Sequence, residues 1–181
     1  QIMQDREAII RTARELVIML AEQGLVYAEI RFAPQLHTRK GMTQAEAIEA
    51  VIEGVNEGMK QAKTIDIGII CCTMSIGLET VNKEENLETV RATKQYLGKG
   101  VVALDLAGAE GIVPLKNFGY IFDLARELEL PITVHAGDSD GPQTAWDALE
   151  FGTKRIGHGH RVYDDKELIK KCIEDNVTLE I

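Results

Sequence analysis

Short apolar runs alternate with longer amphipathic segments along the chain, and the alternation predicts strands and helices in turn. Ile2, Ile9, Ala13, Leu16, Val17 and Leu20 recur at helical spacing over Gln1 to Gln23, and Gly24 follows as a helix-ending glycine. Residues 25–32 read as a strand. Thr43 and Glu46 form a T-x-x-E capping box ahead of Ala47, Ile48, Val51, Ile52, Val55 and Met59, which predicts a helix to about Gln61. Residues 65–73 are nearly all apolar and read as the next strand. Asn82 and Glu85 open a helix through Leu97 that Gly98 stops, and residues 101–107 form a strand before the turn Gly108 to Gly111. A helix over about 117–129, a strand over 131–135, a helix opened by Pro142 and a strand over 155–158 come next. Asp164 and Glu167 cap the last helix, and residues 177–181 form a strand.

Continuous apolar strands separated by single amphipathic helices mean an α/β fold with a parallel, helix-covered sheet. A nucleotide-binding open sheet should carry G-x-G-x-x-G after its first strand, and none is present. The other architecture is a (β/α)8 TIM barrel, here expected as one incomplete barrel domain over residues 1–181. The sequence begins within a helix and ends on a strand, as such a barrel would without its first and last strands. Polar residues agree with a barrel, because enzymes of that kind carry their chemistry where strands end. Arg31 and His37, Asp105 and Glu110, His135 and Asp138, and His158 and His160 all fall at those points.

With 181 residues, 45% of them hydrophobic, the chain can bury a substantial core. A net charge of −9 with both signs interspersed argues for a soluble protein and against nucleic acid as a partner. No apolar run approaches the roughly 20 residues that span a bilayer, so no membrane partner is expected. The polar stretch Gln1 to Glu7 does not read as a secretory signal. Cys71, Cys72 and Cys172 form no C-x-x-C spacing, which suits small core residues in a reducing compartment and a cytoplasmic address. Exposed strand edges at 25–32 and 177–181 would favour self-association.

Four segments carry candidate chemistry. In Thr133-Val134-His135-Ala136-Gly137-Asp138, an imidazole at a strand end suits a divalent metal, and Asp138 could pass a proton to a substrate atom. In Arg155-Ile156-Gly157-His158-Gly159-His160, the flanking glycines let His158 approach a ligand closely, while His160 reads as a rim residue. In Asp105-Leu106-Ala107-Gly108-Ala109-Glu110, the Gly108 N–H could donate to a ring nitrogen and Asp105 could orient neighbouring histidines. In Tyr27-Ala28-Glu29-Ile30-Arg31-Phe32, alternation sends Tyr27, Glu29 and Arg31 to one face and the apolar residues towards the helices. The Glu29–Arg31 pair reads as structural support. Taken singly, the other three segments also fit plain roles: a structural histidine, a loop histidine and a carboxylate-bearing turn.

Taken together, the segments resemble the adenosine deaminases. That family shows V-Y-x-E-x-R-x-x-P, D-L-A-G-x-E, V-H-A-G-E and R-I-G-H-G in this order. Here Val26 leads Y-A-E-I-R-F-A-P, followed by D-L-A-G-A-E, V-H-A-G-D and R-I-G-H-G-H, and Gln35-Leu36-His37 is similar to bacterial members. The resemblance implies a (β/α)8 amidohydrolase that uses one zinc ion and a zinc-activated water. The reaction would convert the purine nucleosides adenosine and 2′-deoxyadenosine to inosine and 2′-deoxyinosine plus ammonia. It implies that His135 is a metal ligand, that His158 activates the water, that the Gly108 N–H holds the purine ring, and that Asp138 protonates N1.

Two positions depart from the family. Asp138 stands where the family has glutamate, shorter by roughly 1.5 Å, one carbon–carbon bond. A misplacement of that size can cost on the order of 100-fold in rate. Ala109 replaces an acidic or amide residue. The family's H-x-H pair and last-strand aspartate, further metal ligands, fall in segments outside this sequence. A catalytic zinc takes about three protein ligands, so these residues alone are expected to be inactive and the full-length protein to be the enzyme. A deaminase of another aminopurine, or a barrel relative without catalysis, are the alternatives.

Overall fold

The structure, a computed structural model, describes residues 2–181. Among the described residues, six strands alternate with six α-helices. In chain order these are α1 (Arg6–Glu22), β1 (Tyr27–Phe32), α2 (Gln44–Ala62), β2 (Asp66–Ser75), α3 (Lys83–Tyr96) and β3 (Val101–Gly108). They continue as α4 (Gly119–Glu127), β4 (Val134–Ala136), α5 (Pro142–Glu150), β5 (Arg155–His158), α6 (Lys166–Glu174) and β6 (Thr178–Glu180). Strand order is β1-β2-β3 in one sheet and β4-β5-β6 in the other, and every register resolved between neighbours is parallel.

The differences from the sequence reading have local causes. The expected helix start at Gln1 lies outside the described residues. The helix begins at Arg6 because the Asp5 carboxylate accepts from the Ala8 N–H, which leaves Ile2 exposed and off the buried stripe. The helix expected over 117–129 opens as a 3₁₀ turn, Leu115–Phe118, before α4. The strand expected from 131 pairs regularly only over Val134–Ala136, with an isolated bridge from Ile132 to Leu104. Pro131 has no N–H to extend the ladder. Asp165 caps α6, accepting from the Glu167 and Leu168 N–H groups, so the cap falls one residue beyond Asp164.

The chain divides into two compact units, the first running to Cys72 and including Arg91–Ala103, the second comprising Thr73–Val90 and Leu104–Ile181. In the first unit, Ile9, Ala13 and Val17 of α1 meet Ala47, Ile48, Val51 and Val55 of α2 over Ile69 and Cys71 of β2. The reciprocal capping box of Thr43 and Glu46 opens α2 as its pattern predicts. Ala28, Ile30 and Phe32 pack on this core, while the Tyr27 hydroxyl donates to Glu29 on the other face. Cys71, Cys72 and Cys172 are buried and form no disulfide, and burial pushes the Cys71 thiol up to about 12.

In the second unit, β4 pairs with β5 and β5 with β6, and β3 is tied alongside by the Leu104 bridge to Ile132. Phe122 and Phe151 stack with centroids 4.2 Å apart, and the Trp146 indole N–H donates to Asp165. Arg155 Nε donates to Glu180 Oε1 at 2.8 Å, locking β5 to β6. This unit carries the ends of β3, β4 and β5, where the chemistry-bearing motifs lie.

Candidate functional site

Parallel pairing of two short strands sets the centre of the site. His135 of β4 stands opposite Gly157 of β5, and Ala136 opposite His158. A Cβ at Gly157 would lie 3.4 Å from His135 Nδ1, so the absent side chain leaves the imidazole its room. The His135 and His158 rings meet edge-on with centroids 5.1 Å apart. Behind them, Asp105 of β3 is fully buried, and its Oδ2 lies 2.8 Å from His135 Nδ1. Thr73 Oγ1 donates to the Asp105 carbonyl at 2.7 Å, fixing β3 at that point.

The last residue of β5 adopts an uncommon backbone. His158 has φ +70°, a left-handed conformation that costs a non-glycine residue about 1–2 kcal/mol. Two bonds hold the chain there: the Gly159 N–H donates to the Ala136 carbonyl at 3.0 Å, and the Arg161 N–H donates to the Gly137 carbonyl at 2.8 Å. The turn brings His160 back towards Asp138, with His160 Nδ1 3.3 Å and His158 Nδ1 4.0 Å from Asp138 Oδ1. Asp138, His158 and His160 thus hold three ligating atoms within 4.8 Å of one another.

At the end of β3, Gly108 has φ +113°, and a Cβ there would lie 2.3 Å from the Ser75 carbonyl oxygen. The Ala109 N–H donates to that same oxygen at 2.8 Å, so the β3 turn is pressed onto the end of β2 and admits only glycine. Gly108, His135, Ser75, Leu106, Glu110 and Thr144 line a cavity of about 30 Å³. That volume suits a water, whereas pockets for small molecules run to several hundred Å³.

Glu110 reaches across to the loop after β4. Its Oε1 accepts from the Gly137 N–H at 2.5 Å and the Thr144 hydroxyl at 2.7 Å. Its Oε2 accepts from the N–H groups of Asp138, Ser139 and Asp140 at 2.9, 2.6 and 3.0 Å. Burial alone would push this carboxyl up, but the bonds from Asp140, Thr144, Asp138 and Ser139 together hold it below the ordinary glutamate range.

The structure therefore gathers His135, Asp138, His158 and Gly108 in one unit, with Asp105 behind His135. Arg31 and His37 lie in the other unit, where His37 Nδ1 is 2.7 Å from the Met3 carbonyl oxygen and its ring faces Phe32. Sequence reasoning left His160 on the rim, yet it is the imidazole nearest Asp138. It also noted Glu110 only as a strand-end carboxylate, and it missed Thr144, which carries no signal in the first turn of α5.

The donor set fits a divalent metal in one respect. A ligating histidine commonly has its second ring nitrogen set against a carboxylate, which is the relation of His135 Nδ1 to Asp105. His135 would then offer Nε2. It stands outside the Asp138–His158–His160 group, so the two sets of donors do not coincide.

The adenosine deaminase family model matches residues 1–181. The chain belongs to the adenosine deaminase family. It is 41% identical to the adenosine deaminase of Haemophilus ducreyi over 183 residues, covering 99% of this chain and 52% of that protein. It is 37% identical to that of Clostridium perfringens strain 13, covering 100% of this chain and 53% of the relative. The chain thus spans about half the length of these curated relatives. Among solved structures, an Arabidopsis ADAL complexed with IMP is similar at TM-score 0.84 and 26% identity, covering 98% of this chain and 52% of that one. A Burkholderia ambifaria amidohydrolase solved with bound Zn shares the fold at TM-score 0.88 and 20% identity, covering 97% of this chain and 48% of its own.

Proposed function

We propose that this adenosine deaminase family chain forms part of a (β/α)8 barrel that hydrolyses adenosine and 2′-deoxyadenosine to their inosine counterparts and ammonia. The observation that carries the reading is the meeting of His135, His158 and Asp138 at the ends of adjacent parallel strands, with a buried carboxylate behind His135. In this reading the full-length protein is the enzyme, because His135 is the one expected zinc ligand in this sequence and stands apart from the Asp138–His158–His160 group. Its purine nucleosides are small-molecule partners.

His135 would hold a zinc ion, the metal bound in a Burkholderia ambifaria amidohydrolase of the same fold. When bound, the metal supplies a water acidified enough to act as nucleophile near neutral pH. His158 takes a proton from the attacking water, and its position beside His135 suits that task. Asp138 gives a proton to purine N1 as the water attacks C6; the tetrahedral carbon then collapses to the carbonyl, its hydroxyl proton returning to Asp138 while the proton held by His158 passes to the amine, which leaves as ammonia. The Gly108 N–H donates to a ring nitrogen, which no side chain at that position obstructs.

A second reading keeps the reaction and changes the purine. Asp138 is short for the task and its carboxylate leans to His160, and solved neighbours include an Arabidopsis N6-mAMP deaminase at 26% identity. Turnover of adenosine, 2′-deoxyadenosine, adenine and N6-methyl-AMP by the full-length protein separates the two. The two nucleosides are expected to be the preferred substrates, and Asp138→Glu is expected to retain that preference. A higher kcat/KM for adenine or N6-methyl-AMP would replace the first reading with the second.

A further inference from the structure

The loop after β4 is built around a carboxylate that none of the proposed chemical steps uses. Three consecutive N–H groups, from Asp138, Ser139 and Asp140, converge on one oxygen of Glu110. The Gly137 N–H and the Thr144 hydroxyl converge on the other. Successive N–H groups aimed into one concavity make an anion nest, and in this chain a side chain from the β3 turn fills it. The Gly137 N–H is also within 2.8 Å of Thr144 Oγ1, so the first turn of α5 joins the same cluster. On the β3 side, a Cβ at Gly111 would lie 3.5 Å from Asp140, so the two loops are already in van der Waals reach.

We infer that Glu110 is a positioning residue: its carboxylate organises residues 137–140 and thereby fixes where the Asp138 carboxyl stands relative to His158 and the purine. The inference rests on the deaminase reading for its consequence in catalysis, but its structural half concerns this chain alone. Asp138 is exposed and contacts imidazoles only at 3.3 and 4.0 Å, so its own side chain is weakly anchored. The backbone N–H that Asp138 gives to Glu110 is therefore the firmer hold on its position. This anchoring matters most where the acid is a short aspartate, since the backbone must make good what the side chain lacks in reach.

Two measurements test it. Amide hydrogen exchange on the full-length protein should show residues 137–140 exchanging at least tenfold faster in Glu110→Gln, with α2 unchanged. Equal rates at 137–140 would overturn the inference whether or not the protein is a deaminase. In the full-length protein, Glu110→Gln should lower kcat by about 100-fold while KM stays within about threefold and metal content is unchanged. A role through Asp138 also requires that Glu110→Gln cost almost nothing further in an Asp138→Asn background. A loss that adds in full to that of Asp138→Asn would contradict positioning and mark a general structural role. Should Glu110→Gln fail to fold, Thr144→Val removes one donor from the same carboxylate, and unchanged exchange at 137–140 in that variant would likewise count against the inference. Wild-type protein that leaves adenosine and the other aminopurines untouched would refute the deaminase reading, while the exchange result would still decide the positioning.

Discussion

Gly108 illustrates how much of the site depends on single atoms. A methyl group there would sit 2.3 Å from the Ser75 carbonyl oxygen on a backbone with φ +113°, so either β2 or the β3 turn would have to move. Gly108→Ala should destabilise the protein by about 2–3 kcal/mol, read as a lower urea midpoint with an unchanged slope. An unaltered midpoint would mean the turn is looser than its geometry indicates. At this scale the positions of the motif residues were legible in the sequence: His135, His158 and Gly108 lie on β4, β5 and β3 near their ends, and Asp138 lies in the loop just after β4. Glu110 was legible only as a carboxylate. Its partners at Gly137 and Asp140 lie 27 and 30 residues away, and no local pattern reports a contact made by one loop closing on another. The pairing of His160 with Asp138 escaped for a similar reason, because it follows from the left-handed backbone at His158.

Among the elements, a helix start was legible where its cap is made within one turn of chain and has one candidate residue. Thr43 and Glu46 behave as their spacing predicts. The cap of α6 is displaced by one residue because Asp164 and Asp165 are adjacent and both fit the pattern; the preceding 3₁₀ turn, His160–Asp164, uses up the first of them. β4 begins later than its apolar run: Pro131 has no N–H to donate, and only the isolated Ile132–Leu104 bridge precedes the regular ladder at Val134.

The caps also make the fold acid-sensitive. Asp5 is held below the ordinary carboxylate range by the Ala8 N–H, Glu46 by the Thr43 N–H, and Asp165 by the Trp146 indole and the Leu168 N–H. A carboxyl whose folded pKa is depressed contributes stability that is fully present above its unfolded value and is lost as pH falls through the folded value. The ordinary values are 3.8 for aspartate and 4.5 for glutamate. The urea midpoint should therefore be nearly flat down to about pH 5 and fall steadily below it, and Asp165→Asn should reduce the steepness of the fall. A midpoint independent of pH down to about pH 3 would contradict the assignment of these carboxylates as caps.

For the molecule as a whole, the alternation of apolar strands and amphipathic helices was enough to establish a parallel α/β fold, because parallel strands buried on both faces read as unbroken apolar runs. The division into two compact units was not legible: β2, α3 and β3 each pass from one unit to the other without a change in composition or a linker. The candidate site falls within the second unit, whereas Arg31 and His37, equally conspicuous at a strand end, belong to the first. The chain spans about half the length of the curated relatives it matches, and His135 is the one expected metal ligand it carries.

The most direct test of the account is the conversion of adenosine to inosine by the zinc-replete full-length protein, compared with its His135→Ala and His158→Ala variants. The wild-type protein should form inosine and ammonia in equal amounts, and each variant should lose at least about 100-fold in kcat. Adenosine left unchanged by the wild-type protein, or converted at the wild-type rate by either variant, would contradict the proposal that these two imidazoles serve one deaminating site.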